Sequence, residues 1–269
     1  VQLRDRGRAL GGRMASRTLR GTGTPSDGRV VDIGASYFTV SDAAFASVVA
    51  GLAENGVVRE WTDSFHVSTG RGLDGVTAGP IRYAAAGGLR SVVQALVVDS
   101  VDVRSGTPVQ RVEAGALPAV DDEPVDAVAL CMPSPQARRV LDGLPQQEIV
   151  WEPVIAVTCV FDRRAWPAVD GVFVNDDPVL TWIADDGSRR GDGAPVLVAH
   201  VHPVLSARHL EDPAAVVPAA VAAVQRVLGV ADYPVWADAH RWTFAKPTAG
   251  RQEASHRAPG AHPEVGPGH

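Results

Sequence analysis

Apolar and polar positions change their period several times along the first hundred residues. Residues 1–3 read as the tail of a strand running into a glycine-rich loop, and "VVDIGASYFTV" (30–40) as a buried strand and turn around a central Gly-Ala. Phe45, Val48, Val49 and Leu52 then recur at helical spacing, with Ser41 or Asp42 able to cap and Gly56 ending the run. Residues 62–80 hold no such period and predict a loop-rich stretch. Gly87 and Gly88 precede a second helix with Leu89, Val92, Val93 and Leu96 on one side. "VDVRSG" (101–106) and "PVQRVEAG" (108–115) alternate as half-buried strands do. "PVDAVALCMP" (124–133) is nearly continuous and apolar, as a strand buried on both faces would be.

Beyond about residue 149 the pattern turns strand-rich. Segments 154–162, 171–176, 179–186, 195–203 and 235–245 are apolar or alternating and are separated by turn residues. One helix interrupts them. Asp212 is its expected cap, Pro213 lies in the first turn, Val216, Val217, Ala220, Val221, Val224 and Leu228 pack, and Gly229 terminates. The reading is an α/β (α+β) chain whose later part is a mainly antiparallel sheet with a covering helix. Residues 247–269 hold one large apolar residue, Val265, amid Gly, Pro, His and charge, and predict disorder. Their histidines, His256, His262 and His269, match no compact metal site.

Composition narrows the partners. Lys and Arg number 25 against 31 Asp and Glu, a net charge of −6. This balance speaks against nucleic acid, although Arg4, Arg6, Arg8, Arg13, Arg17 and Arg20 cluster near the start. Cys131 and Cys159 lie far apart and read as small buried core residues. No disulfide framework is expected, which fits a cytoplasmic setting. No apolar run reaches the roughly 18 residues of a membrane span, and the start is not a signal peptide. No G-x-S-x-G, H-E-x-x-H or G-x-x-x-x-G-K-[ST] is present, so no dedicated nucleophile is evident. His200 and His202 flank Val201 on a predicted strand and so share a side. They could begin a metal site, line a pocket or occupy a half-exposed sheet face; no metal is assigned.

The chemistry concentrates in "RDRGRALGGRMASR" (4–17). Gly11 and Gly12 allow close backbone approach to a phosphate, and Arg13 can grip one. In a dinucleotide-binding βαβ unit an acidic residue about 20 positions past G-x-G-x-x-G holds the adenosine ribose. Asp5 suits that role. Counting back from it lands before residue 1, so the phosphate turn, first strand and first helix are expected to be absent from this chain.

"GGRMASR" followed by "DIGASYFT" resembles the flavin-containing amine oxidase superfamily, and within it the renalase-like branch. The resemblance continues through "NGVVREW" (55–61), "AGGLRSVVQAL" (86–96), "VRSGTPVQRVE" (103–113), "VDAVALCMPSPQA" (125–137) and "AHRWTFAKP" (239–247). It implies FAD as cofactor. Asp5 would meet the ribose; Gly11, Gly12 and Arg13 the pyrophosphate; Gly34, Ala35 and Tyr37 the isoalloxazine ring; and the Val109 backbone the adenine. By themselves, Gly34 and Ala35 also fit simple close packing, Val109 an ordinary strand position and Tyr37 a core aromatic. Trp182, His240 and Trp242 are candidates for the substrate cavity, with core packing as the other reading of the tryptophans.

Ser36 stands where the family usually has glutamine. The family's closing Gly-Asp segment and final helix are expected to be missing, as in a truncated gene product. The implied organisation is an incomplete Rossmann-like FAD-binding domain (1–40 and 86–148) and a substrate domain (41–85 and 149–246). The implied reaction passes a hydride from a small amine or reduced nicotinamide-type substrate to flavin and then to oxygen. Two alternatives stand beside it: a non-catalytic remnant without flavin, and a small-molecule-binding protein built on the antiparallel half.

Overall fold

The apolar segments after residue 149 join a pair of long earlier strands in one sheet. A computed structural model describes residues 1–142 and 149–248. They fall into a larger unit, Leu10–Val98 with Glu152–Lys246, and a smaller one containing Val1–Ala9 and Asp99–Trp151. The large sheet has eight strands in the order Trp236–Pro247, Trp151–Val160, Val196–Val201, Leu180–Asp185, Gly171–Val174, Arg59–Ser68, Gly75–Ala84 and Phe38–Thr39. From Trp151–Val160 onward each neighbouring pair is antiparallel, except Gly171–Val174 with Arg59–Ser68, which run parallel.

Strand periodicity divides this sheet's residues between two faces. Ile155, Val157, Cys159, Leu197, Ala199 and Val201 share one apolar cluster with Ala220, Val224 and Val227 of the helix Val217–Leu228. Phe65, Trp182 and Ala184 form a second cluster. Val160 and Val196 join Leu19, Val31 and Ile33 in a third. Burial of Cys159 pushes its thiol up to about 12, so it stays protonated core.

Helix signals held at Ala43–Glu54, where Asp42 accepts a hydrogen bond from the Phe45 amide at 2.8 Å and Val49 and Leu52 are buried. Phe45 and Val48, expected on the same buried face, are exposed. The second helix spans Leu89–Ala95 with Leu89 and Val92 buried and Leu96 exposed. The third begins later than expected. A 3-10 turn takes Pro213–Val216, and Asp212 makes no side-chain cap. Pro218 has no N–H to donate four residues back, so an α-helical ladder cannot run through from Pro213.

Several expectations are corrected. Residues 62–80 are not loop-rich: Arg59–Ser68 and Gly75–Ala84 form a long hairpin. Register shifts between Glu60 and Thr62 and between Thr62 and Ser64 break the alternation that would have revealed it. Segment 30–40 is two short strands, Val30–Asp32 and Phe38–Thr39, with a loop between. In the smaller unit, 108–115 contributes only Val112–Glu113, and 124–133 contributes only Pro124 to the pair Glu123–Pro124. A strand buried on both faces needs covered sheet neighbours. The parallel pairing of this unit is two-stranded among the described residues, Gln2–Asp5 with Asp102–Ser105. Cys131 is accordingly exposed rather than core. The tail expectations beyond residue 248 lie outside the described residues.

Candidate functional site

The sequence singled out two glycine-bearing loops, and in the larger unit they lie back to back. The Ala35 amide donates to the Arg13 carbonyl at 2.9 Å and the Ile33 amide to that of Ala15 at 3.3 Å. At Gly34 a Cβ would stand 2.0 Å from the Arg13 carbonyl oxygen. Only glycine permits that approach. Gly12 has φ +46° and opens a 3-10 turn, Gly12–Met14, with no atom within 4 Å of where its Cβ would be. Its backbone can therefore be approached closely. Arg13 Nη1 donates to the Ala245 carbonyl at 3.1 Å.

The loop 33–37 is held from the large sheet at several points. Trp242 Nε1 donates to the Ile33 carbonyl at 2.7 Å, and Trp182 Nε1 donates to Ser36 Oγ at 2.9 Å. Arg189 donates to the Ser36 carbonyl at 3.2 Å and to that of Asp32 at 3.4 Å. Ser36 is thus an anchor for an indole. Tyr37 lies in an aromatic group with ring centres 6.4 Å from Trp61, 5.3 Å from Phe65 and 5.9 Å from Trp182. Of the three cavity candidates, Trp182 joins this group. Trp242 packs with Leu19, Val31 and Ile33 and stacks edge-on to His240 at 4.8 Å.

Beneath the loop lies a buried charge network that sequence reasoning missed. Asp186 is fully buried and pairs with Arg189, with Arg29 at 2.8 Å and with Arg190 at 3.2 Å. Asp32 pairs with Arg190 at 3.3 Å and accepts from Ser16 Oγ at 2.6 Å and the Leu89 amide at 2.9 Å. Burial opposes ionisation of Asp186, but the three arginines outweigh it and hold the carboxyl at about 2. The i,i+3 and i,i+4 spacing within "DDGSRR" was the available signal.

Asp5 and Val109 belong to the smaller unit. Asp5 ends the first strand of the parallel pair, its Oδ1 accepting from the Gly7 amide at 2.7 Å and its carbonyl from the Thr107 amide at 3.0 Å. Val109 follows the end of the second strand. Both occupy the carboxyl side of parallel strands, where open α/β sheets place their ligands.

His200 and His202 do not act as a pair. His200 is in the strand Val196–Val201, whereas His202 lies beyond it and caps the helix Pro203–Arg208, its Nδ1 accepting from the Val204 amide at 3.2 Å. No cluster of three or more metal-ligating side chains exists among the described residues. His200 Nε2 is buried without a hydrogen-bond partner, and burial, with Lys246 and Arg189 adding like charge, pushes its pKa down to about 4. The folded protein therefore keeps His200 neutral at a pH where the unfolded chain protonates it. Stability is expected to fall from pH 6.5 toward about 4, by up to about 1.4 kcal/mol per pH unit. Melting temperatures of wild type and His200→Gln over this range check it; the variant should show the shallower decline.

Gly70-Arg71-Gly72-Leu73-Asp74-Gly75 has the G-x-G-x-x-G spacing, yet it closes the antiparallel hairpin and opens no helix. It is not a phosphate turn of the strand-to-helix kind. The sequence profile described as flavin containing amine oxidoreductase matches residues 53–265, well over half of the chain. The chain belongs to the flavin-containing amine oxidoreductases. FAD is the cofactor of such proteins. Among solved structures, the fold of this amine oxidoreductase is similar to a putrescine oxidase variant (A394C) redesigned in cofactor binding. The TM-score is 0.63 at 14% identity, covering 88% of this chain and 83% of that one. The wild-type putrescine oxidase bound to putrescine gives 0.61 at 15% identity, covering 88% and 78%. A putative protoporphyrinogen oxidase from Exiguobacterium sp. 255-15 gives 0.50 at 19% identity, covering 62% of this chain and 41% of that one. In this member of the family, no helix among the described residues is long and apolar enough to cross a membrane.

Proposed function

We propose that this chain is an FAD-dependent oxidoreductase of the renalase-like kind, taking a hydride from a small amine or reduced nicotinamide-type substrate and using oxygen as final acceptor. The observation that carries the reading is the seating of Gly34 on the Arg13 carbonyl, which brings "GGRM" and "DIGASYFT" together. The residues present fit the cofactor. Gly12 leaves its backbone open to an incoming phosphate, and the adjoining Arg13, whose Nη1 donates to the Ala245 carbonyl, brings a positive charge to the same loop. On this reading Gly11, Gly12 and Arg13 hold the pyrophosphate, Gly34, Ala35 and Tyr37 the ring, Asp5 the ribose and Val109 the adenine. Residues 1–40 and 86–148 then serve cofactor binding, and 41–85 with 149–246 serve the substrate. The unpaired Cys131 and Cys159 support a reducing, cytoplasmic setting.

Hydride acceptance is the chemistry that a bound flavin supplies, with re-oxidation by oxygen to hydrogen peroxide. The chain's own residues position and shield. Trp182, Trp242 and Arg189 fix the loop 33–37. Phe65 and Trp182, both buried, keep water from the Tyr37 side. The test is flavin stoichiometry. The purified chain is expected to take up FAD near 1:1, and Arg13→Ala to weaken FAD binding about 10- to 100-fold, the worth of a charge-assisted hydrogen bond. Wild-type protein that stays colourless with excess FAD, or a variant that binds equally well, would overturn the proposal.

A further inference from the structure

Arg82 is a buried cation whose Nε and Nη1 find no acceptor among the described residues. It lies on the strand Gly75–Ala84, opposite Thr39 on one side and Thr62 on the other. Between the pairs Thr62–Arg82 and Ser64–Ala78 one strand advances two residues and the other four. Gly79-Pro80-Ile81, set against Asp63 alone on the other strand, therefore bulges and re-aims Arg82. Its guanidinium carbon stands 4.3 Å from the Phe65 ring centre and 5.9 Å from that of Tyr37. Gly79 makes room for it, since a Cβ there would be 2.6 Å from Nη2. Arg82 is only 6% exposed, and its Nε and Nη1 are buried with no hydrogen-bond partner.

Arg189 and Arg190, buried as deeply, are each paired with Asp186 and Asp32. A buried guanidinium is ordinarily neutralised in that way, and a ring face recovers only part of the lost hydration. The exception therefore calls for a function. It sits in the aromatic group that contains Tyr37, the residue assigned above to the flavin ring. A cationic ammonium arriving at these rings meets like charge on faces the guanidinium already engages. An oxyanion meets unspent donors.

We infer that Arg82 is a substrate-recognition residue, and that the substrate presents a carboxylate or phosphate oxygen to it. This assignment to the substrate site rests on the flavin reading. It makes charge the basis of selectivity: anionic substrates are accepted and cationic diamines turned away.

Four probes of one ring and different charge test this on the purified protein loaded with FAD: benzoate, phenyl phosphate, benzamide and benzylamine. Binding is read by calorimetry and by the fluorescence of Trp61 and Trp182, whose rings contact Phe65. One of the two anions should bind about tenfold or more tighter than benzamide, with benzylamine weakest. The tighter anion says whether the recognised group is carboxylate or phosphate. Arg82→Gln should erase the preference and leave flavin absorbance unchanged. Benzylamine binding as tightly as the anions, or a preference that survives in Arg82→Gln, would overturn the inference. If Arg82→Gln does not fold, the wild-type series decides. Flavin absorbance of the same samples reports separately on the cofactor reading, since the probes can bind selectively whether or not the chain retains flavin.

Discussion

Replacing Asp186 with asparagine is expected to cost about 3–5 kcal/mol and to lower the melting temperature by about 10 °C or more. The change removes one negative charge and almost no volume. Arg29, Arg189 and Arg190 all converge on this carboxylate, which is fully buried. Asparagine leaves three guanidinium groups with Asp32 as the nearest buried countercharge, 3.8 Å from Arg189 and 3.3 Å from Arg190. Their mutual repulsion then acts where water cannot screen it. Asp192 supplies the control, because it pairs with the same Arg29 yet is half exposed. Asp192→Asn should cost at most about 1 kcal/mol. Thermal unfolding of both variants gives the comparison, and equal losses would show that convergence of the three arginines on Asp186 adds nothing to stability. The same network holds the loop 33–37 through Arg189, so Asp186→Asn should also lower flavin content before it unfolds the chain.

The second large effect is expected at Gly34. A methyl group there would overlap the Arg13 carbonyl oxygen at 2.0 Å, and the obstacle is backbone, which cannot rotate away. Gly34→Ala must push the two loops apart and break the Ala35 amide bond to Arg13. The expected stability loss is about 1–3 kcal/mol, typical of overpacking. The larger consequence is for the cofactor, with flavin content falling to about a tenth or less while far-ultraviolet circular dichroism stays native. Gly51→Ala runs the other way. It lies in the helix Ala43–Glu54 with nothing within 4 Å of the added carbon. It should stabilise by about 0.5–1 kcal/mol and leave flavin unchanged. Full flavin content in Gly34→Ala would break the link drawn between loop packing and cofactor binding.

Much of the fold could be read from local pattern. The helix Ala43–Glu54 and its Asp42 cap follow from residues a few positions apart, and so do the strands 151–160, 171–174, 180–185 and 196–201. The hairpin 59–84 could not be read, because two register shifts scramble its alternation. The run 124–133 looked like a buried strand because hydrophobicity states a preference and not the presence of neighbours to satisfy it. The two glycine loops were legible because their demand, backbone at close approach, is written in the residue type itself.

The amino-acid sequence alone determined the helix Ala43–Glu54, most of the strands after residue 149 and, over residues 53–265, membership of the flavin-containing amine oxidoreductases. Only tertiary structure decided that Arg13 and Gly34 touch, that Ser36 holds an indole, that Arg189 reaches Asp32 across 157 residues of chain, and that Arg82 is buried unpaired against Phe65. The physical reason is range. Propensity and periodicity act over a few residues, whereas charge pairing and ring packing depend on distances in space that a linear pattern does not encode.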